Sequence, residues 1–109
     1  MSNNFYERTV TINDPEGIHE RPSGAIALLA REYLGRVELD YEGMTVNAKN
    51  DMFVQSLGGL YEHSITVRVS PEHDKAQKTL DKLTELISSE EMTSSSTLLL
   101  TSNQVLRSN

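Results

Sequence analysis

The sequence of 109 residues contains no cysteine. A disulfide scaffold and a zinc site built on thiolates are therefore both excluded. Cations are scarce as well: 10 Lys and Arg stand against 16 Asp and Glu, a formal charge of −6 with a pI near 4.9. Nucleic-acid binders draw affinity from clustered cations on phosphates, and basic membrane-surface modules from cations on anionic headgroups, so neither class fits. Long apolar runs are missing too. The opening residues MSNNFYERTV carry no hydrophobic stretch behind a positive start and do not read as a signal peptide. The longest aliphatic run, Leu98, Leu99 and Leu100, falls far short of the ~20 residues a membrane span needs. The length leaves room for one domain and not two. These absences together predict a small, soluble, acidic, cytoplasmic domain that does not insert into a membrane.

What is present is regular patterning. Residues 6–12 mix Thr and Val in rough alternation and predict a strand, ended by Asn13, Asp14 and Pro15. Arg8 breaks the period of two, which suits an edge strand. A helix is predicted over 21–34, with Ile26, Leu29, Ala30 and Tyr33 on one face and Gly35 as its stop. Residues 36–42 alternate clearly: Arg36, Glu38, Asp40 and Glu42 point one way, and Val37, Leu39 and Tyr41 the other. The acidic row reads as a solvated strand face. Glu42 and Gly43 form a tight turn into a hairpin partner whose apolar face is Met44, Val46 and Ala48.

A short helix is predicted over 51–57, with Asn50 as N-cap and Gly58 and Gly59 as its stop. Residues 64–70 alternate again, placing Ile65, Val67 and Val69 on one side. Ser70 and Pro71 are expected to open the last helix, whose stripe is Ala76, Leu80, Leu83 and Ile87. The order β-α-β-β-α-β-α, with one apolar face per strand and one stripe per long helix, predicts an α+β fold. It is a two-layer open-faced sandwich, with helices on one face of a four-stranded antiparallel sheet. The composition changes after residue 88. Of residues 89–109 nine are Ser or Thr and only Glu90, Glu91 and Arg107 are charged, which reads as a disordered tail. Docking through Leu98, Leu99 and Leu100, or an extra edge strand, is the competing reading of that segment. The domain organisation is therefore 1–88 folded and 89–109 tail.

The chemistry-bearing segment is Gly17-Ile18-His19-Glu20-Arg21-Pro22-Ser23-Gly24. Pro22 has no N–H and belongs in a first helical turn, so the helix starts just before it and His19 lies at or beside the N-cap. Unpaired backbone N–H groups and the positive helix end then face the imidazole. That field disfavours imidazolium, leaving a neutral nucleophilic ring, and stabilises an anion placed on it. Arg21 adds a cation suited to a phosphoryl oxygen. The set suits a transiently phosphorylated histidine. Histidine at a loop-to-helix junction is also commonly a plain cap or surface residue. His63 and His73 have no His, Asp or Glu cluster at ligand spacing, so no metal site is expected and no cofactor is implied. Gly58 and Gly59 lack a following Lys-Ser/Thr and do not form a phosphate-binding loop. Ser56 near His63 has no orienting partner for a triad.

The run Gly17-Ile18-His19-x-Arg21-Pro22 followed by a small residue resembles the active-site motif of the HPr family, the histidine-containing phosphocarriers of the phosphoenolpyruvate-dependent sugar phosphotransferase system. Val46-Asn47-Ala48-Lys49 and Ser56-Leu57-Gly58 resemble the region of that family's short second helix, and the element order agrees. The resemblance covers residues 5–88. It implies a relay: a phosphoryl group arrives from phospho-Enzyme I, itself charged by phosphoenolpyruvate, and passes to a histidine of an Enzyme IIA component during sugar uptake. His19 would be phosphorylated through Nδ1, Arg21 would hold the phosphoryl group, and Pro22 would fix the helix start. Arg21 and Lys49 are expected to flank the site. Such a monomeric carrier is the substrate of both transfers and not an enzyme standing by itself. A regulatory or scaffold domain on the same fold, a nitrogen-related phosphotransferase branch included, is the alternative.

Three positions depart from the pattern. Asn50 occupies the place where many members carry a serine phosphorylated by a kinase, so regulation of that kind is not expected at a side chain without a hydroxyl, although Asn50 still caps the helix. Asp51 stands where an apolar docking residue is common, and its charge would partly imitate that phosphoserine. Ser23 replaces the usual Ala. Met52 and Phe53 are the candidate docking anchors, with Val54 and Leu57 facing the core.

Overall fold

The computed structural model of the chain describes residues 5–92. Its elements are β1 (Tyr6–Thr11), α1 (Glu20–Ala30), β2 (Val37–Tyr41), β3 (Met44–Asn47), α2 (Asp51–Ser56), β4 (Ser64–Val69) and α3 (Ala76–Ile87). The strands form one antiparallel sheet in the order β1-β4-β2-β3. This is the expected β-α-β-β-α-β-α sandwich. Val37, Leu39 and Tyr41 of β2 and Ile65, Val67 and Val69 of β4 are buried, and with Ile26, Leu80, Leu83 and Ile87 from α1 and α3 they make the core. Each such side chain removed from water is worth about 1.5–3 kcal/mol, so the alternation itself holds the two layers together.

β1 lies at a sheet edge, and Arg8 shows why its period is broken. Its guanidinium reaches α3, donating to Asp81 Oδ1 at 2.9 Å and Thr84 Oγ1 at 3.1 Å. On the open face the acidic row is laced across strands. Arg68 donates to Glu7 Oε1 at 2.9 Å and to Asp40 Oδ2 at 3.1 Å. Burial alone would lower the Arg68 pKa, but the hydrogen bonds to Glu7 and Asp40 outweigh it and raise the pKa above its ordinary value. Glu42 leaves the row: with φ of 50° beside Gly43 at 86°, it forms a two-residue hairpin loop of left-handed residues.

Several expectations change. α1 stops at Ala30, short of residue 34, because Tyr33 turns into the core and its hydroxyl donates to the Ser70 carbonyl, while Leu34 swings out. Gly35 is then no helix stop; it is the close-packing point where a Cβ would meet the Tyr33 ring and Ser70 Oγ. α3 starts at Ala76, because Ser70 is committed elsewhere. Its N–H donates to the Arg36 carbonyl and its Oγ accepts from the Arg36 N–H at 2.9 Å, which leaves no hydroxyl to cap a helix. On the edge strand β3 the apolar face is graded: Ala48 just beyond it is buried, Val46 half-buried and Met44 exposed. Packing continues beyond residue 88 to Met92, which is fully buried; residues 93–109, with the Leu98, Leu99 and Leu100 run, lie outside the described residues.

Candidate functional site

The loop bearing His19 is built by Asp14, Gly17 and the segment after α2. Asp14 is buried; its Oδ1 accepts from the Glu16 N–H, its carbonyl from the Gly17 N–H, and its Oδ2 from the Met92 N–H. One carboxylate thereby ties the loop to the end of the described chain. Gly17 has φ of 72°, and a Cβ there would run into the Gly59 carbonyl oxygen, the acceptor of the Ile18 N–H at 2.9 Å. Ile18, buried under Gly59, anchors the loop to the core. The next residue, His19, is the N-cap of α1 as the position of Pro22 predicted, with extended backbone and no side-chain capping bond.

Two consequences follow at the start of α1. The His19 carbonyl accepts from the Ser23 N–H at 3.0 Å and from Ser23 Oγ at 2.6 Å, so the buried hydroxyl of Ser23 is satisfied. The Glu20 and Arg21 N–H groups, first in the helix, have no carbonyl behind them and no partner among the described residues. They are donors available to an anion. Arg21 is exposed, with no ion pair or side-chain hydrogen bond among the described residues, so its guanidinium is uncommitted.

The imidazole is oriented unevenly. The His19 side chain is 34% exposed, yet Nε2 is almost fully covered. Glu16 Oε1 lies 2.9 Å from Nε2 but off the line of a ring N–H, which makes the contact an approach of charge rather than an aligned hydrogen bond. Nδ1 has no hydrogen-bond partner among the described residues and is not sequestered as Nε2 is. Glu16 escaped the sequence reading. An acid three residues before His19 was the only signal, and only the turn closed by Asp14 turns that spacing into contact.

α2 packs beside α1. Asn50 Oδ1 accepts from the N–H groups of Met52 at 3.0 Å and Phe53 at 3.1 Å, capping the helix as expected. Val54 and Leu57 are buried, whereas Met52 is 74% and Phe53 51% exposed. Asp51, in the first turn, is exposed. Lys49 is not part of the site. Its Nζ donates to the Tyr33 carbonyl and its own carbonyl accepts from Arg31 Nε, both beyond the C-terminal end of α1. At 1.5 Å per residue the 11-residue helix separates that end from His19 by roughly 16 Å. A cation is favoured there by carbonyls left without N–H partners, which explains the placement. His63 bonds Tyr41 Oη through Nδ1 at 2.7 Å, and His73 packs edge-on to Tyr33.

Comparison with known proteins bears on this geometry. A family model described as the PTS HPr component phosphorylation site matches residues 6–89. The chain is 37% identical over 78 residues to the phosphocarrier protein HPr of Chlamydia muridarum, covering 72% of this chain and 73% of that protein. It is 30% identical over 71 residues to the phosphocarrier protein HPr of Buchnera aphidicola subsp. Acyrthosiphon pisum, covering 65% and 84%. Among solved structures, the crystal structure of HPr from Bacillus anthracis superposes with a TM-score of 0.69 at 25% identity, covering 76% of this chain and 96% of that one.

Proposed function

The chain belongs to the HPr phosphocarrier family of the phosphotransferase system, and from that premise we propose that His19 takes a phosphoryl group from phospho-Enzyme I and passes it to Enzyme IIA-type histidines in sugar uptake. The observation that carries the reading is the single set of groups at the start of α1: an imidazole with Nε2 covered, unpartnered N–H groups at Glu20 and Arg21, and an uncommitted guanidinium. In the first transfer the Nδ1 lone pair attacks phosphorus in line as the bond to the donor breaks. The phosphoryl oxygens gain the N–H donors and Arg21. A helix N-terminus favours an anion by about 0.3–1 kcal/mol at an exposed site, and a charge-assisted hydrogen bond adds about 1.5–3 kcal/mol. Those amounts are enough to hold the group and too small to trap it, which suits a relay.

Met52 and Phe53 supply the docking anchors, since large apolar side chains on a short capped helix expose area without a role in the core. Asn50 offers no hydroxyl to a serine kinase. A pure scaffold on this fold would need neither His19 nor Arg21. Incubation with phosphoenolpyruvate and Enzyme I, read by intact mass, tests the proposal. An acid-labile gain of one phosphoryl group, absent in His19→Ala, is expected; no gain in the unaltered protein would refute it.

A further inference from the structure

The carrier reading leaves Glu16, whose carboxylate lies against the His19 ring, without a task. Its side chain is 74% exposed, so it contributes little to packing, but its backbone is held by the Asp14 turn and its Oε1 is brought to 2.9 Å from His19 Nε2. No donor approaches Nε2 among the described residues, and the atom has almost no access to solvent. A nitrogen in that place cannot present a lone pair at ease, because its nearest neighbour is an anion that repels one. A proton on Nε2 is attracted to the same oxygen.

We infer that Glu16 is a positioning residue for the transfer, holding the imidazole as its Nε2–H form and neutralising the positive charge that the ring takes on when Nδ1 is phosphorylated. The inference rests on the proposed carrier function. The step balances without moving a proton. The Nδ1 lone pair forms the N–P bond, the donor keeps the electron pair of the bond that breaks, and Nε2 keeps its hydrogen. The product is a phosphorylated imidazolium facing the Glu16 carboxylate. When the group is handed on, the N–P pair returns to Nδ1 and the Nε2–H ring is restored. The off-line contact of the resting state strengthens as the ring becomes cationic; such contacts commonly tighten only when charge develops. Glu16 approaches the nitrogen that is not phosphorylated, while the N–H groups of Glu20 and Arg21 remain available to the phosphoryl oxygens.

Three variants test this: Glu16→Ala, Glu16→Gln, which keeps the size and loses the charge, and Glu32→Ala, which removes an equal charge from an exposed position past the far end of α1. Ring-nitrogen NMR of the unphosphorylated proteins, at a pH where imidazole is neutral, reads the tautomer. The unaltered protein and Glu32→Ala should show the Nε2–H form, and both Glu16 variants a measurable share of the Nδ1–H form. With each protein as substrate of Enzyme I and phosphoenolpyruvate, the Glu16 variants should lose roughly ten- to a hundredfold in kcat, the worth of a charge-assisted contact, with KM within about twofold. Identical tautomers in all four proteins would overturn the inference, and so would an equal loss of kcat in Glu32→Ala. If the unaltered protein takes no phosphoryl group, the carrier reading fails and the NMR comparison alone decides whether Glu16 governs the ring.

Discussion

Gly17 and Gly58 offer a matched test of how the His19 loop is held. Both have left-handed backbones, with φ of 72° and 64°. A Cβ at residue 58 meets nothing within 4 Å, whereas one at residue 17 runs into the Gly59 carbonyl. Placing an L side chain in the left-handed region costs about 1–2 kcal/mol, and the loss of unfolded-chain freedom on Gly→Ala offsets about 0.4–1 kcal/mol; both apply equally to the two sites. Gly17→Ala carries a further loss, because the Gly59 oxygen that would be displaced is the acceptor of the Ile18 N–H. That bond is worth about 0.5–1.5 kcal/mol, and Ile18 must shift within the core. The difference between the variants should therefore be about 1–2 kcal/mol, or roughly 4–16 °C in Tm for a domain of this size. Urea and thermal unfolding measure it directly. The same displacement moves His19 and Glu16, so Gly17→Ala should be phosphorylated slowly by Enzyme I even well below its Tm, and Gly58→Ala at the normal rate. Equal destabilisation of the two variants, or an unimpaired rate in Gly17→Ala, would refute the suture of the loop to Gly59.

Asp14→Ala leaves the buried Met92 N–H and the Glu16 N–H without their acceptor and should destabilise by about 2–4 kcal/mol; a urea midpoint equal to that of the unaltered protein would contradict the tie. Met52→Ala and Phe53→Ala should change stability by no more than about 0.5 kcal/mol, since both side chains are exposed, while raising KM for Enzyme I severalfold; unchanged KM values would remove α2 from the docking face. Asp51→Ile should speed phosphorylation by Enzyme I, at a loss of about 0.3–1 kcal/mol from the first turn of α2, and an unchanged rate would show that its charge does not oppose docking.

The elements legible in the sequence are those whose causes are local. β2 follows from strict alternation, the hairpin from Glu42 and Gly43, α2 from the Asn50 cap, and the start of α1 from Pro22. The misplaced boundaries have distant causes. Tyr33 ends α1 because its hydroxyl finds a carbonyl 37 residues away, and Ser70 fails to start α3 because its hydroxyl serves Arg36, 34 residues back. Local propensity is blind to both. The same divide runs through the site. His19, Arg21 and Pro22 are adjacent in the chain and could be read together. Asp14 needs Met92 to show its purpose, and Glu16 needs the turn that Asp14 closes. Lys49 erred in the opposite sense: a cation in a familiar run invited assignment to the anion site, yet it serves the far end of the helix.

An acidic chain proposed to carry a phosphoryl anion presents an apparent conflict, and the geometry resolves it by distance and pairing. Among the carboxylates, Glu7 and Asp40 are paired with Arg68 on the open face of the sheet, and Asp81 with Arg8. Exposed charges farther than the ~8 Å screening length of physiological salt contribute little to the field at His19. Near the ring the relevant groups fall within two turns of chain. Glu16 is drawn to Nε2, Glu20 adds a second, exposed carboxylate in the first turn, the helix-start N–H groups are unpaired, and Arg21 is uncommitted. With Lys49 roughly a helix length away, the positive side of that balance rests on one guanidinium and two N–H groups. In the proposed relay a balance so narrow would keep the phosphoryl group transferable. A second cation would deepen the hold on it, whereas a carboxylate beside Nε2, on the inferred role of Glu16, would stabilise the charged ring without adding to that hold.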